Sequence, residues 1–207
     1  MSVLEGNNLI QQVRDDPNLT WTTTYNQHQV WCVIPPCTCN YTYGRFRQPH
    51  EPSPLPEYLY FLRDAANDIA TNNHDGLYSY KNASYNVCNV ALYTTKNDNL
   101  PWHNDNDRLF DTLSPLQYKS ILSFSVGATR QFLFEQRNSD FATRPYNCSL
   151  SNGDICLMER ATQLHFNHCL PATSNDDLDF NDYRIAFTFR HIAPNNHHKD
   201  CTMHQPR

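Results

Sequence analysis

Three features of the sequence predict a mainly β fold with a flanking helix. Short segments in the second half alternate apolar and polar residues with a period of two, as half-buried strands do. Only one stretch carries a clear helical stripe. Gly is scarce, with 5 residues, and Pro plentiful, with 13, which suits strands joined by rigid turns rather than a Gly-rich phosphate loop. One helix followed by many short strands suggests a closed or sandwiched antiparallel sheet backed by helix. Barrels of this kind can hold a small ligand inside.

Taken in chain order, residues 1–30 are polar and weakly patterned and read as an N-terminal arm. Residues 31–56 are rich in Pro, Cys and aromatic residues, and read as ordered loops with short strands. Leu55-Pro56-Glu57 opens the helix. Leu59, Leu62, Ala66 and Ile69 form its apolar stripe, Pro56 suits a helix start, and the run from Asn72 to Gly76 ends it. Strands follow at Val87 to Tyr93, Ile121 to Val126, Gln131 to Phe134, Ile155 to Met158 after the turn Ser151-Asn152-Gly153-Asp154, and Arg184 to Arg190. The strand Ile121 to Val126 reads as half-buried, with Ser123 and Ser125 on its second face. Residues 171–183 read as an acidic, polar loop.

The tail from Pro194 is His-rich and is expected to fray. Cys201 with His197, His198 and His204 leaves a zinc site open there, but a disordered His-rich tail is the favoured reading, because a proper site needs four fixed ligands. The organisation that results is an arm over 1–30, a single domain over 31–193 and a tail over 194–207. Within the domain, 31–84 is a lid and helix region and 85–193 a strand-built core.

Composition removes several function classes. The chain of 207 residues is 39% hydrophobic, enough for a core and too apolar for disorder. Its net charge of −5 argues against coating a duplex by charge alone. No apolar run is long enough to span a membrane, and the first residues lack the pattern of a signal peptide. The expectation is therefore an intracellular protein, cytoplasmic or nuclear, and a monomer. Its eight cysteines are expected to be free thiols, and its four N-x-S/T triplets chance matches.

Trp102-His103-Asn104-Asp105 contains a His-x-Asp, whose two side chains share one side of an extended chain. An isolated copy is also what a surface turn carries. A third ligand follows the strand Ile155 to Met158, where both His165 and His168 are available. Two histidines and one carboxylate on a facial triad suit non-haem Fe(II), leaving positions for a bidentate cosubstrate and O2. Arg184 and Arg190 lie six apart on one strand and so share a face with Thr188, while Ile185, Phe187 and Phe189 take the other. Two inward arginines are costly without anions. A dicarboxylate would supply them, and Arg is suited to gripping each carboxylate.

These stretches together resemble the AlkB family of Fe(II)- and 2-oxoglutarate-dependent nucleic-acid dealkylases. The matching segments are Tyr41-Thr42-Tyr43, Tyr85-Asn86 through Leu92-Tyr93, Trp102 to Asp107, Ile121 to Phe132, Gly153-Asp154 through Met158-Glu159, Ala161-Thr162-Gln163 with His168 and Pro171, and Arg184 to Arg190. They stand in family order. The resemblance implies a double-stranded β-helix, or jelly roll, of the Fe(II)/2-oxoglutarate dioxygenase type. It also chooses His168 over His165, since the family's distal histidine precedes a small or apolar residue and a Pro.

Carried over, the resemblance implies iron on His103, Asp105 and His168. Tyr93 and Arg184 would hold the distal carboxylate of 2-oxoglutarate, and Arg190 would sit near the metal-bound carboxylate. Asp107 would face the substrate base, and Tyr41 and Tyr43 would belong to the substrate lid. Trp31 is a candidate for stacking on a base, with core packing as its plainer reading. Arg45, Arg47 and Arg130 are candidate phosphate contacts. The implied substrates are methylated bases of the 1-methyladenine and 3-methylcytosine type in RNA or single-stranded DNA, which must be flipped or unpaired to be reached.

Two positions depart from the family. Ala91 and Ala186 stand where it usually carries Asn, so two donors to the cosubstrate are absent, each worth roughly 0.5–1.5 kcal/mol. Weaker 2-oxoglutarate binding is expected, and the departures would fit a divergent member of the kind carried by viral replicases as well as a free-standing repair protein. Two other readings stay open: a hydroxylase of a protein or lipid, and a module that binds modified nucleic acid without turnover.

Overall fold

The computed structural model describes residues 1–24, 27–42, 49–72, 84–105, 107–110, 120–137, 144–173 and 183–205. Its centre is a seven-stranded sheet ordered β1 (Thr22–Thr24), β2 (Gln27–Val33), β4 (Val87–Tyr93), β11 (Arg184–Arg190), β6 (Ile121–Gly127) and β9 (Ile155–Met158). The two-residue β3 (Ser53–Pro54) pairs beside β2. A second sheet runs β5 (Leu100–His103), β10 (Phe166–Leu170), β7 (Arg130–Gln136) and β8 (Tyr146–Leu150). Strands from both sheets line one cavity. Two facing sheets of this order, antiparallel except for the short β3, agree with the jelly roll that the resemblance implied.

The buried strands owe their burial to different covers on their two faces. Outward from the large sheet, Val90, Leu92, Leu122, Phe124, Ile185 and Phe187 form one core with α1 (Val3–Arg14) and α2 (Tyr60–Asn72). Toward the small sheet, Ala91, Tyr93, Ala186 and Met158 meet Phe132, Leu150 and Leu170. Strand β4 is consequently buried at all seven positions. The second face of β6, expected to meet solvent, is also enclosed: Ser123 bonds Thr188 and Ser125 accepts from Arg184. Its small hydroxyls face the inter-sheet cavity instead of water. Past β6 the chain turns at Gly127 (φ +92°), where any Cβ would run into the Tyr183 carbonyl.

Two segments differ from the sequence expectation. The stretch read as an arm is structured. Ser2 and Glu5 form a capping box that starts α1, and Leu9, Ile10 and Val13 bury into the main core. Gln27–Val33 is a central strand, paired along its length with β4. Only a narrow apolar face of α1 is buried, and β2 opens on the polar run Gln27-His28-Gln29 before its apolar half, so neither shows a regular apolar–polar repeat. The second difference is the tail. His197 and Cys201 are buried, Thr202 donates to the Pro36 carbonyl, and His204 bonds the His197 carbonyl. The expected helix stands at its expected place, with Glu57–Leu59 as a 3-10 turn leading into α2 and Leu59, Leu62 and Ala66 buried.

Candidate active site

The small sheet brings the two histidines together. His168 on β10 lies directly opposite His103 at the end of β5, and their ring centroids are 4.2 Å apart. The chain leaving β5 turns Asp105 inward, where its backbone N–H donates to the Gln163 side chain at 2.9 Å. His168 Nε2 is 3.6 Å from Asp105 Oδ2, and His103 Nε2 is 4.0 Å from Asp105 Oδ1. Cis ligands on one ion at about 2.1 Å stand about 3 Å apart, so a small inward shift would seat a metal. His103 is already oriented for it: its Nδ1–H donates to the Pro101 carbonyl at 2.8 Å, leaving the Nε2 lone pair free to face Asp105. His165, the alternative ligand, is exposed at the end of the short helix α3 (Arg160–His165).

Charge makes the triad ready for a cation. Burial alone would raise the Asp105 carboxyl, but Arg190, ahead of His168 and His103, pulls it down to about 2. Arg190 Nη2 donates to Asp105 Oδ1 at 2.9 Å. Burial pushes His168 down to about 3, so near neutrality it is a neutral ligand. The unfolded histidine titrates at its ordinary value. Between the two values the unfolded chain therefore binds more protons, and stability is full above roughly pH 6.5 and drains as pH falls. The metal-free chain is expected to lose about 2 kcal/mol between pH 6.5 and pH 5 from this group. Denaturant titrations across that range check it: a His168→Gln variant with the same slope as the parent would remove His168 as the cause.

The large sheet supplies the second half of the cavity. Arg184, Ala186, Thr188 and Arg190 line it, as the even spacing predicted, together with Tyr93, Ala91 and Asn89. Arg184 is 2% exposed. Its Nη2 donates to Ser125 Oγ at 2.9 Å, while Nε and Nη1 have no partner among the described residues. Burial, ahead of any neighbouring charge, lowers its pKa from the ordinary value. A dry guanidinium with two undirected donors fits a carboxylate ligand. His103, Asp105 and His168 fit a metal on the opposite wall.

Gln27 was missed by sequence reasoning. It lines the same cavity at 1% exposure, and both of its amide atoms lack a partner among the described residues. Gln29, beside it on the same face and opposite Ala91, is in the same state. The signal is the even spacing of Gln27, Gln29 and Trp31, which the unbroken polar run Gln27-His28-Gln29 hides.

Three candidate substrate contacts fall differently. Trp31 is 2% exposed, stacks on Tyr41 at 4.8 Å and donates its indole N–H to the Cys39 carbonyl. It is a packed core residue and cannot stack on a base. Arg130 is also corrected: it is buried, with its guanidinium donating to the carbonyls of Asp98 and Pro171, each at 2.7 Å. That position cannot reach a phosphate backbone. Tyr41 and Asp107 do come together, lining with Asn40, Asn196 and His198 an open groove of about 390 Å³. Tyr43, Arg45 and Arg47 lie outside the described residues.

The fold and the triad define a class, and the sequence agrees with it. Residues 8–190 match the 2OG-Fe(II) oxygenase superfamily, and the chain belongs to that family. It is thus a dioxygenase whose family uses Fe(II), 2-oxoglutarate and O2. Among solved structures, 111 chains match. One is OsALKBH1, an AlkB homologue to which this chain is similar in fold, with a TM-score of 0.62 over 92% of this chain and 94% of that one, at 18% identity. No curated protein matches the chain by sequence. No helix among the described residues is long and apolar enough to cross a membrane.

Proposed function

We propose that this oxygenase removes N-methyl groups from cationic nucleobases of the 1-methyladenine and 3-methylcytosine type, in RNA or single-stranded DNA. The observation that carries the substrate class is the groove shared by Tyr41 and Asp107, two residues beyond the Asp105 ligand position. The Asp107 carboxylate suits a positively charged base, beside a Tyr41 ring that is itself packed on Trp31 and Phe110 and offers only its edge to the groove. Asp107 is held in place because its Oδ1 accepts the Leu109 N–H at 2.9 Å.

His103, Asp105 and His168 would hold the iron, and Arg184 with Tyr93 the distal carboxylate of 2-oxoglutarate. Arg190 fixes the Asp105 carboxylate and keeps it ionised. Fe(II) held there with 2-oxoglutarate and O2 would supply the oxidation of N–CH3 to N–CH2OH, with succinate and CO2 as co-products. The C–N bond then breaks with its electron pair passing to nitrogen, and formaldehyde leaves. The chain's own part is to exclude water between the sheets and to aim the methyl group at the metal.

Gln27 restores what Ala91 and Ala186 lack. Its amide, from the neighbouring strand, offers the cosubstrate a donor that the alanines cannot. Gln27→Leu is expected to weaken 2-oxoglutarate binding about tenfold. Calorimetric titration of the Mn(II)-loaded chain measures this, and an unchanged Kd rejects the role.

Formaldehyde and succinate release from 1-methyladenine and 3-methylcytosine in matched RNA and DNA strands tests the proposal. Succinate without formaldehyde from any strand would drop the nucleobase and keep the oxygenase. Asp107→Asn is expected to lower kcat/KM on the cationic bases by about ten- to a hundredfold, with uncoupled succinate formation little changed. An equal loss in both would mean Asp107 acts on the fold and not on the base.

A further inference from the structure

The tail docks on the loop after β2 through four side chains from two distant parts of the chain. Cys37, Cys39, His197 and Cys201 are all buried, at 4% exposure or less. Their ligand atoms lie within 4.8 Å of one another. His197 Nδ1 is 3.6 Å from Cys37 Sγ, 3.3 Å from Cys39 Sγ and 3.5 Å from Cys201 Sγ.

Hydrogen bonding does not account for this grouping. An imidazole Nδ1 carries either one proton or one lone pair, so it satisfies one sulfur and leaves two. A tetrahedral zinc ion accounts for all three. With Zn–S near 2.3 Å and Zn–N near 2.05 Å, the sulfur-to-nitrogen edge of the tetrahedron is about 3.6 Å, which is the spacing found. The surroundings fit thiolate ligands as well. The His198 backbone N–H donates to Cys39 Sγ at 3.3 Å, a bond that favours charge on sulfur.

We propose that Cys37, Cys39, His197 and Cys201 form a structural zinc site, separate from the His103, Asp105 and His168 centre. Three soft sulfurs with one imidazole select zinc, and four protein ligands leave no open position for chemistry. The site ties the Cys-x-Cys loop to the His-x3-Cys tail across almost the whole chain. Asn40, Tyr41 and His198, one or two residues from the ligands, line the groove described above. Zinc therefore ties together two of the segments that line that groove, and the metal site itself does not depend on what the groove binds.

Elemental analysis of the full chain, purified under reducing conditions, is the test. One zinc per chain is expected, resistant to dialysis against a weak chelator, and retained in His103→Ala, which lacks an iron ligand. Cys39→Ser and Cys201→Ser are expected to lose it, with Tm falling on the order of 10 °C. Cobalt substitution in the His103→Ala chain should give thiolate charge-transfer absorption and the intense visible bands of a tetrahedral site. A zinc-free parent, or a disulfide between any two of the three cysteines in the intact mass, would overturn the proposal. If the serine variants do not fold, the cobalt spectrum decides alone, since its failure to show thiolate bands has the same force.

Discussion

Asp105→Ala is expected to abolish iron binding and turnover and to destabilise the chain by about 3–5 kcal/mol. Both effects follow from one carboxylate with two duties. It completes the triad with His103 and His168, and it accepts the Arg190 guanidinium inside the fold, where each side chain is only 4% exposed. Removing the carboxylate takes a counter-charge from a buried cation, which costs more than the pair itself contributes. A double variant, Asp105→Ala with Arg190→Met, should therefore recover most of the lost stability while staying inactive. Denaturant unfolding of the metal-free chains measures the first effect, and iron content with succinate release the second. A loss below about 1 kcal/mol in the single variant, or retained iron, would break the link between triad and arginine.

How much of this was legible depends on how local the signal is. The strands β4, β6, β9 and β11 announce themselves by alternation within seven residues or fewer. The six-residue spacing of Arg184 and Arg190 then places both on one face. Strand β10 does not announce itself: Phe166-Asn167-His168-Cys169-Leu170 has no β-branched residue, and it becomes a strand because β5 and β7 pair with it on both sides. The choice between His165 and His168 could not come from that segment alone. Arg130 was misplaced for a related reason. Its acceptors are carbonyls at residues 98 and 171, and no local pattern marks such a position as interior. For α1 the capping box Ser2-Val3-Leu4-Glu5 is a usable signal that the polar composition obscures. The four-residue cluster at the tail is the extreme case, with its halves 158 residues apart between Cys39 and His197. Each half is unremarkable until the fold joins them.

Arg184 should respond in the opposite sense to Asp105. Arg184→Met is expected to weaken 2-oxoglutarate binding about a hundredfold. In the absence of cosubstrate it should leave the chain as stable as the parent, or more stable by about 1–2 kcal/mol. The guanidinium is buried, its hydrogen-bond partner is a neutral serine, and no carboxylate among the described residues pairs with it. Replacing it with an apolar side chain of similar length removes a desolvated charge from the free protein, and a fork-shaped grip from the bound one. Parent and variant therefore exchange order. Saturating 2-oxoglutarate with Mn(II) raises the parent Tm through linkage and leaves the variant nearly unmoved. Arg184→Lys separates charge from shape: it keeps the cation, loses the bidentate fork and should bind with intermediate affinity. Destabilisation of the Met variant as large as that of Asp105→Ala would mean that Arg184 is held by the fold for packing, and the cosubstrate would have to be gripped elsewhere.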